Sequence, residues 1–426
     1  MMIIARPDHN ISRNSISPHA LKVLYRLKNA GYEAYLVGGG VRDVLLGKQP
    51  KDFDIATNAH PEDVSRVFRN CRLIGRRFRL AHVYFGREII EVATFRGSGN
   101  DDGLRETNQE GRILHDNVYG TLEEDAERRD FTINALYYNI SDFSIVDFST
   151  GYQDIADAQL RLIGDPETRF REDPVRMIRA IRFAAKLDFI IEDQCVEPIK
   201  TLGGLLLDVP PARMFDEVLK LFLHGHALAS FHLLREYKLY DYLFPASKDN
   251  IDEDPQLRAF LEKAMRNTDV RVNAGKPVTP AFLFAVFLWA GAKQVATGKT
   301  EHLGSWIESI QLACDATVKQ QQKHTAIPKR VIHPMREIWT MQPRFFQRTG
   351  KRPLRLLSHP KFRAGYDFFL LRSQVGEVDP EVAKWWTDLQ VASEAEQRKM
   401  VAPKHTQRKK KAKPKSESTA PEEHDD

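Results

Sequence analysis

Apolar and polar positions divide the chain at about residue 160. Residues 20–30 (ALKVLYRLKNA) repeat apolar side chains at helical spacing, and Gly31 is placed to end that helix. EAYLV (Glu33–Val37) is expected as a strand running into three glycines, and VRDVLLG as a short helix stopped at Gly47. DFDIAT reads as a second strand, and HPEDVSRVFRN as an amphipathic helix with Pro61 in its first turn. FRLAHVYFGREIIEVATF alternates on both sides of Phe85–Gly86, which predicts a hairpin. Gly97 to Gly120 is polar, glycine-rich and without a period, and is expected to be a flexible loop. DFTINALYYNI and SIVDF predict two further strands, so the first 155 residues are mixed α/β.

Past Gly164 the strand patterns stop. Amphipathic helices follow one another to about residue 400, with Pro210–Pro211 and Phe244–Pro245 as joints. The longest apolar run, AFLFAVFLWAGA from Ala281, has twelve residues. It is too short to span a bilayer and predicts one core helix. In HPKFRAGYDFFLLR, Phe362, Tyr366 and Phe369 share a helical face, which favours a core stripe over RNA stacking. Trp385–Trp386 is read as a packed helix end. The expected organisation is a head (1–155), a helical neck (156–245), a helical body (246–400) and a tail (401–426).

Composition sharpens this picture in two places. Three cysteines, Cys71, Cys195 and Cys314, lie far apart and form no C-x-x-C pair. That disfavours a zinc ribbon or disulfide framework and points to a reducing, cytoplasmic setting. MMIIARPDHN has no basic region leading into an apolar run, so no secretory signal is expected. The net charge is a modest +5, but QRKKKAKPK (Gln407–Lys415) concentrates basic charge in a segment without apolar periodicity. The expectation there is a mobile tail, either a solubilising end or a polyanion-binding arm.

The candidate chemistry lies in LVGGGVRDVLLGKQPKDFDIAT, residues 36–57. Strand alternation sends Asp52 and Asp54 to one face and Phe53 to the other, towards the core. Two neighbouring carboxylates repel, and a divalent cation relieves that repulsion. Mg²⁺ is commonly held by one or two carboxylates plus substrate phosphates. The alternative is a pair of aspartates ending a strand in a turn. Upstream, GGGVRD fits neither G-x-G-x-x-G nor a P-loop. Its glycines still let backbone N–H groups approach a phosphate, and Arg42 could add a fixed positive charge. Glu91 is a further candidate acid, set among apolar neighbours in REIIEVATF; its plainer reading is a cross-strand partner for an arginine. In REDPVRMIRAIRF, Pro174 fits a first helical position and Asp173 its N-cap. Arg176, Arg179 and Arg182 then fall on one side and Met177, Ile181 and Ala185 on the other. A capped helix with a solvated basic face is the bland reading.

Taken with EEDAERRDFTINALYY (Glu123–Tyr138) and RLIGDPETRFREDPVRMIRAIRFAAKLDF (Arg161–Phe189), the glycine and aspartate block resembles the class II nucleotidyltransferases. That superfamily contains the bacterial poly(A) polymerases and the CCA-adding tRNA nucleotidyltransferases. The likeness implies a palm-like α/β head, an all-α body, two Mg²⁺ ions on Asp52 and Asp54, ATP as substrate and RNA 3′ ends as acceptor. It implies Asp130 as a third functional acid, with Glu91 second, and Arg128 and Arg129 near sugar and phosphates. Base reading falls to Asp173 and Arg176, supported by Glu172. Gly38, Gly39, Arg42, Asn134, Arg179 and Arg182 complete the implied nucleotide-binding set.

GRRFRLAHVYFG, PPARMFDEVLKLF and the basic tail tilt the likeness towards the poly(A) branch. CCA addition is the alternative. A non-catalytic RNA-binding relative is disfavoured because both aspartates are present, and a phosphate-ester hydrolase because a histidine-rich metal set is missing. A monomer without a membrane span is expected; protein partners are not indicated.

Overall fold

Residues 1–75, 79–97, 105–107, 113–116, 118–247, 251–303 and 306–402 are described by the computed structural model. Strand β1 is Met2–Ile4, followed by β2 (Ala34–Val37), β3 (Asp54–Thr57), β4 (Cys71–Ile74), β5 (Leu80–Phe85) and β6 (Glu88–Thr94). A separate antiparallel ribbon, β7 (Arg105–Thr107) with β8 (Ile113–Asp116), precedes β9 (Leu136–Asn139) and β10 (Ile145–Asp147). Among the described residues, eight of these strands form one sheet in the order β1-β10-β9-β2-β3-β6-β5-β4. Only β3 and β6 run parallel within it.

The sheet is covered on both faces at its centre, which explains the apolar density of its inner strands. Leu36, Ile55, Ile90, Val92 and Tyr138 bury one face against Val23, Leu24 and Leu27 of helix α1 (Pro18–Asn29). Val64, from helix α3 (Pro61–Val67), joins the same core, and helices α4 (Leu122–Glu127), α5 (Gly151–Ala156) and α6 (Pro166–Glu172) follow along the chain. Val37, Ala56 and Tyr137 point the other way and pack with Phe95 and Ala126. Helix α2 (Gly39–Leu45) follows β2 directly, and the bend at Gly47, with φ of 68°, ends that segment as expected.

Several expectations change. The second strand begins at Asp54, so Asp52 lies in the extended segment ahead of it. Gly97–Gly120 is not wholly loop, because it contains the β7–β8 ribbon, and Arg96 bridges to Tyr119. Within DFTINALYYNI only Leu136–Asn139 is strand; Thr132–Asn134 is a 3₁₀ turn. That turn is held from outside, since Thr132 Oγ1 donates to Asp154 at 2.6 Å. Past residue 156 a two-residue parallel pair, Gln159–Leu160 with Ile190–Ile191, interrupts the helices. The apolar run at Ala281 is two helices, Pro280–Phe287 and one starting at Trp289, bent by 54°. Gly291 sits so close to the Ala246 carbonyl that a Cβ would lie 1.9 Å from it. No single helix among the described residues is long and apolar enough to cross a membrane.

The chain forms two compact units, Met1–Thr340 and Met341–Asp426. In the second, Phe362, Tyr366, Phe369 and Trp386 are buried together, and the Trp386 indole donates to the Phe345 carbonyl at 2.7 Å. The core-stripe reading holds there. The basic segment Gln407–Lys415 lies outside the described residues.

Candidate active site

The glycine turn is built by backbone conformation. Gly38 has φ 72° and ψ −140°, a combination that side chains make costly. A Cβ there would stand 3.6 Å from Arg129 Nη1 and 3.9 Å from Asp54 Oδ2. The turn therefore brings bare backbone between an arginine and an acid. Gly38→Ala is expected to destabilise the protein by roughly 1–3 kcal/mol through strain at this residue. Thermal unfolding tests this, and an unchanged midpoint would show that the turn tolerates a side chain.

The acids stand together because strand register puts them there. Asp54 pairs in parallel register with Glu91, and Asp52 lies two residues upstream. Phe53 is buried between the two aspartates, whose side chains stay open to solvent. Although one side of Asp54 meets water, protein packs densely around its carboxyl group. Burial, then the charge of Glu91 and, more weakly, that of Asp52 push its pKa up to about 6 against the opposing pull of Arg129. Glu91 is itself within 3.3 Å of His82 Nε2. A divalent cation fits the aspartate pair, because it would relieve the repulsion that helps to raise the pKa of Asp54. Among the described residues no group of three or more histidines, cysteines or acids is arranged to hold a metal ion. An open pair of carboxylates suits Mg²⁺ that also takes water and phosphate oxygens.

Behind the acids lies a buried polar network. Asp130 accepts from Arg179 Nε at 2.6 Å, from Asn134 Nδ2 at 3.2 Å and from the Phe131 N–H at 2.8 Å. These partners hold its carboxyl below the usual range although burial alone would raise it. Asn134 in turn accepts from Arg42 Nη1 at 2.5 Å, and Arg42 donates twice to Asp43. Arg42, expected to add a fixed positive charge at the glycines, is only 2% exposed and takes part in this network. Asp130, expected as a third functional acid, is held by these partners, while the second candidate, Glu91, stands in register with Asp54. Arg129 donates to Tyr137 Oη at 2.8 Å and to Asp125 at 3.1 Å, which outweighs the effect of burial and keeps it firmly charged. Arg128 donates to the Gly97 carbonyl.

A third group surrounds helix α7 (Val175–Leu187), which follows the short helix Pro166–Glu172. Arg176 Nη1 donates to Glu172 at 2.9 Å and to the Arg169 carbonyl at 2.7 Å. Asp173 closes the preceding helix, and its carboxylate accepts both arms of Arg213, at 2.9 and 2.7 Å. The N-cap position belongs to Pro174 instead, although Asp173 still accepts from the Val175 N–H at 3.3 Å. Arg182 reaches Glu217 at 3.3 Å. The basic face is thus neutralised pair by pair rather than left to solvent.

Comparison with known proteins identifies this arrangement. Residues 34–161 match the model of the poly A polymerase head domain, and 304–419 that of the polymerase A arginine-rich C-terminus. Residues 188–250 match the probable RNA and SrmB-binding site of polymerase A. The chain is 48% identical to poly(A) polymerase I of Escherichia coli O6:H1, over 98% of this chain and 94% of that one. It belongs to the poly(A) polymerase family. Poly(A) polymerase I of Haemophilus influenzae is 46% identical over 94% of this chain and 90% of its own. Among solved structures, the CCA-adding enzyme of Bacillus stearothermophilus in complex with CTP aligns with a TM-score of 0.58 at 27% identity, covering 87% of this chain and 82% of that chain.

Within this poly(A) polymerase chain, sequence patterns missed Arg213, Asp43, Asp125 and Tyr137. Arg213 lies 40 residues from its partner Asp173, in the helix Pro211–Phe222, so no local spacing could reveal the pair. Asp43 sits next to Arg42 and was readable only as a helical surface acid.

Proposed function

We propose that the protein adds AMP from ATP to RNA 3′ ends without a template. One observation carries this reading: Asp52, Asp54 and Glu91 crowd beside a glycine turn that lets backbone approach a triphosphate. Asp52 and Asp54 would hold the divalent ions, with two Mg²⁺ expected. Divalent ions held there would supply Lewis-acid chemistry, favouring a deprotonated RNA 3′-hydroxyl and offsetting charge on the leaving pyrophosphate. The chain's own residues do the rest. Gly38 and Gly39 leave room for the phosphates, and Arg129 sets a fixed positive charge beside Asp54. Asp130 and Asn134 act as positioning residues, linking Arg42 after the turn to Arg179 on α7. Glu91, in register with Asp54, is the neighbouring acid whose charge a bound cation would also offset. Asp173 and Arg176, pre-set by Arg213 and Glu172, offer an acceptor and a fork of donors to the incoming base. RNA would run over the helices after residue 188, consistent with the matched RNA-binding model.

Poly(A) synthesis is favoured over CCA addition because relatives named poly(A) polymerase I match almost end to end. The second reading keeps the structural likeness to a CCA-adding enzyme and sequence likenesses of 36% and 38% to CCA-adding enzymes, over 56% and 53% of this chain. Each NTP offered separately, with a generic RNA and with tRNA lacking its CCA end, separates them. Long A-tracts on the generic RNA are expected. Strict addition of C, C and A to tRNA alone would establish the second reading instead.

A further inference from the structure

Three guanidinium groups converge on one aromatic ring behind the acids. Arg42, Arg179 and Arg182 stand 5.2, 5.3 and 5.0 Å from the centroid of Phe183. The ring is 8% exposed and meets Phe131 edge to face at 5.6 Å. Three cations gathered around one ring repel one another, and each has its own acid: Asp43, Asp130 and Glu217 respectively. Those acids come from three different elements, whereas the ring is shared by all three arginines. A desolvated ring face is where cation–π attraction is strongest.

The placement of the arginines gives this cluster a consequence. Arg42 lies on α2, directly after the glycine turn, while Arg179 and Arg182 lie on α7. One turn further along α7, Lys186 reaches Asp43 at 3.2 Å and fastens the same two helices. Arg176 lies in the first turn of α7, and Asp173 stands just ahead of that helix.

We infer that Phe183 is a positioning residue for nucleotide binding: its ring face gathers Arg42, Arg179 and Arg182 and so sets the distance between the phosphate turn and the base-reading end of α7. This rests on the nucleotide reading above. If Phe183 merely filled the core, leucine would replace it at little cost in nucleotide affinity. The inference instead requires an electron-rich face.

The test uses the full chain with three replacements: Phe183→Leu, Phe183→Tyr, and a ring-fluorinated phenylalanine introduced at position 183. Fluorination keeps the shape of the ring but withdraws the negative charge of its face. ATP binding is measured by calorimetric titration in magnesium buffer, and KM and kcat by primer extension. Phe183→Leu and the fluorinated ring are expected to weaken ATP binding and raise its KM roughly tenfold. Because substrate and transition state lose the same contacts, kcat at saturating ATP should stay within about twofold. Tyrosine should behave as phenylalanine does. A fluorinated protein that binds ATP normally overturns the inference, as does leucine with an unchanged KM. Should the leucine form not fold, the fluorinated ring decides alone. Titration needs no turnover, so a Phe183 effect on ATP binding in a chain that adds no nucleotide to any RNA offered would remove the reaction assignment and keep the positioning role.

Discussion

Asp54→Asn is expected to abolish AMP incorporation and, in metal-free buffer, to raise the melting temperature. The two effects share one cause. Burial and the neighbouring charge of Glu91 push the Asp54 carboxyl up to about 6, so at neutral pH the folded protein carries a charge its surroundings disfavour. The sign follows from proton linkage. A carboxyl whose folded pKa exceeds its unfolded value contributes stability that is fully present below the unfolded value and is lost as pH rises through the folded one. The ordinary value for an aspartate is 3.8, so the loss falls between about pH 4 and 6. Asparagine resembles the protonated form at every pH, so the two proteins should diverge through that window and remain apart above it. Magnesium should raise the melting temperature of the unaltered protein at pH 7.5 and leave Asp54→Asn nearly unmoved. Losing several kcal/mol of metal-assisted transition-state stabilisation corresponds to a fall in rate of about 10³ or more. Asp52→Asn should lose activity to a similar degree. Incorporation by either variant at near-normal rates would remove the metal assignment.

Asp130→Ala should do the reverse and unfold readily. Asp130 is half-buried and takes three hydrogen bonds, one of them from a charged guanidinium. Its removal leaves the part-buried Arg179 without this counter-charge, which costs about 1–3 kcal/mol. It also leaves Asn134 with one fewer acceptor, and that side chain is what holds Arg42. Urea unfolding reads the loss directly. If Asp130 worked at the metals, its alanine variant would stay as stable as the parent and lose incorporation alone. A stable, inactive Asp130→Ala would therefore return Asp130 to the metal site. Together the two aspartates separate a residue that trades stability for chemistry from one that maintains the frame.

How much of this was legible differs by residue. Asp52 and Asp54 are two positions apart, so alternation alone placed them on one face with Phe53 behind. Glu91 was noticed as an acid among apolar neighbours, but nothing local said that β3 and β6 pair in parallel register. Arg42 was expected to place a fixed charge at the glycines, and nothing in its neighbours showed that it is enclosed. Its burial comes from Asn134 and Phe183, which are 92 and 141 positions away. The 3₁₀ turn at Thr132–Asn134 hid inside a strand-like string, because its stabilising partner is Asp154.

Local spacing, read unaided, determined the mixed α/β head, the helical remainder and the paired aspartates, since period and side-chain direction are properties of neighbouring residues. Only the tertiary structure decided which acid stands beside Asp54, which arginines are enclosed and which ring they share. Those choices depend on strand register and helix packing between segments far apart in the chain, and short-range periodicity carries no record of either.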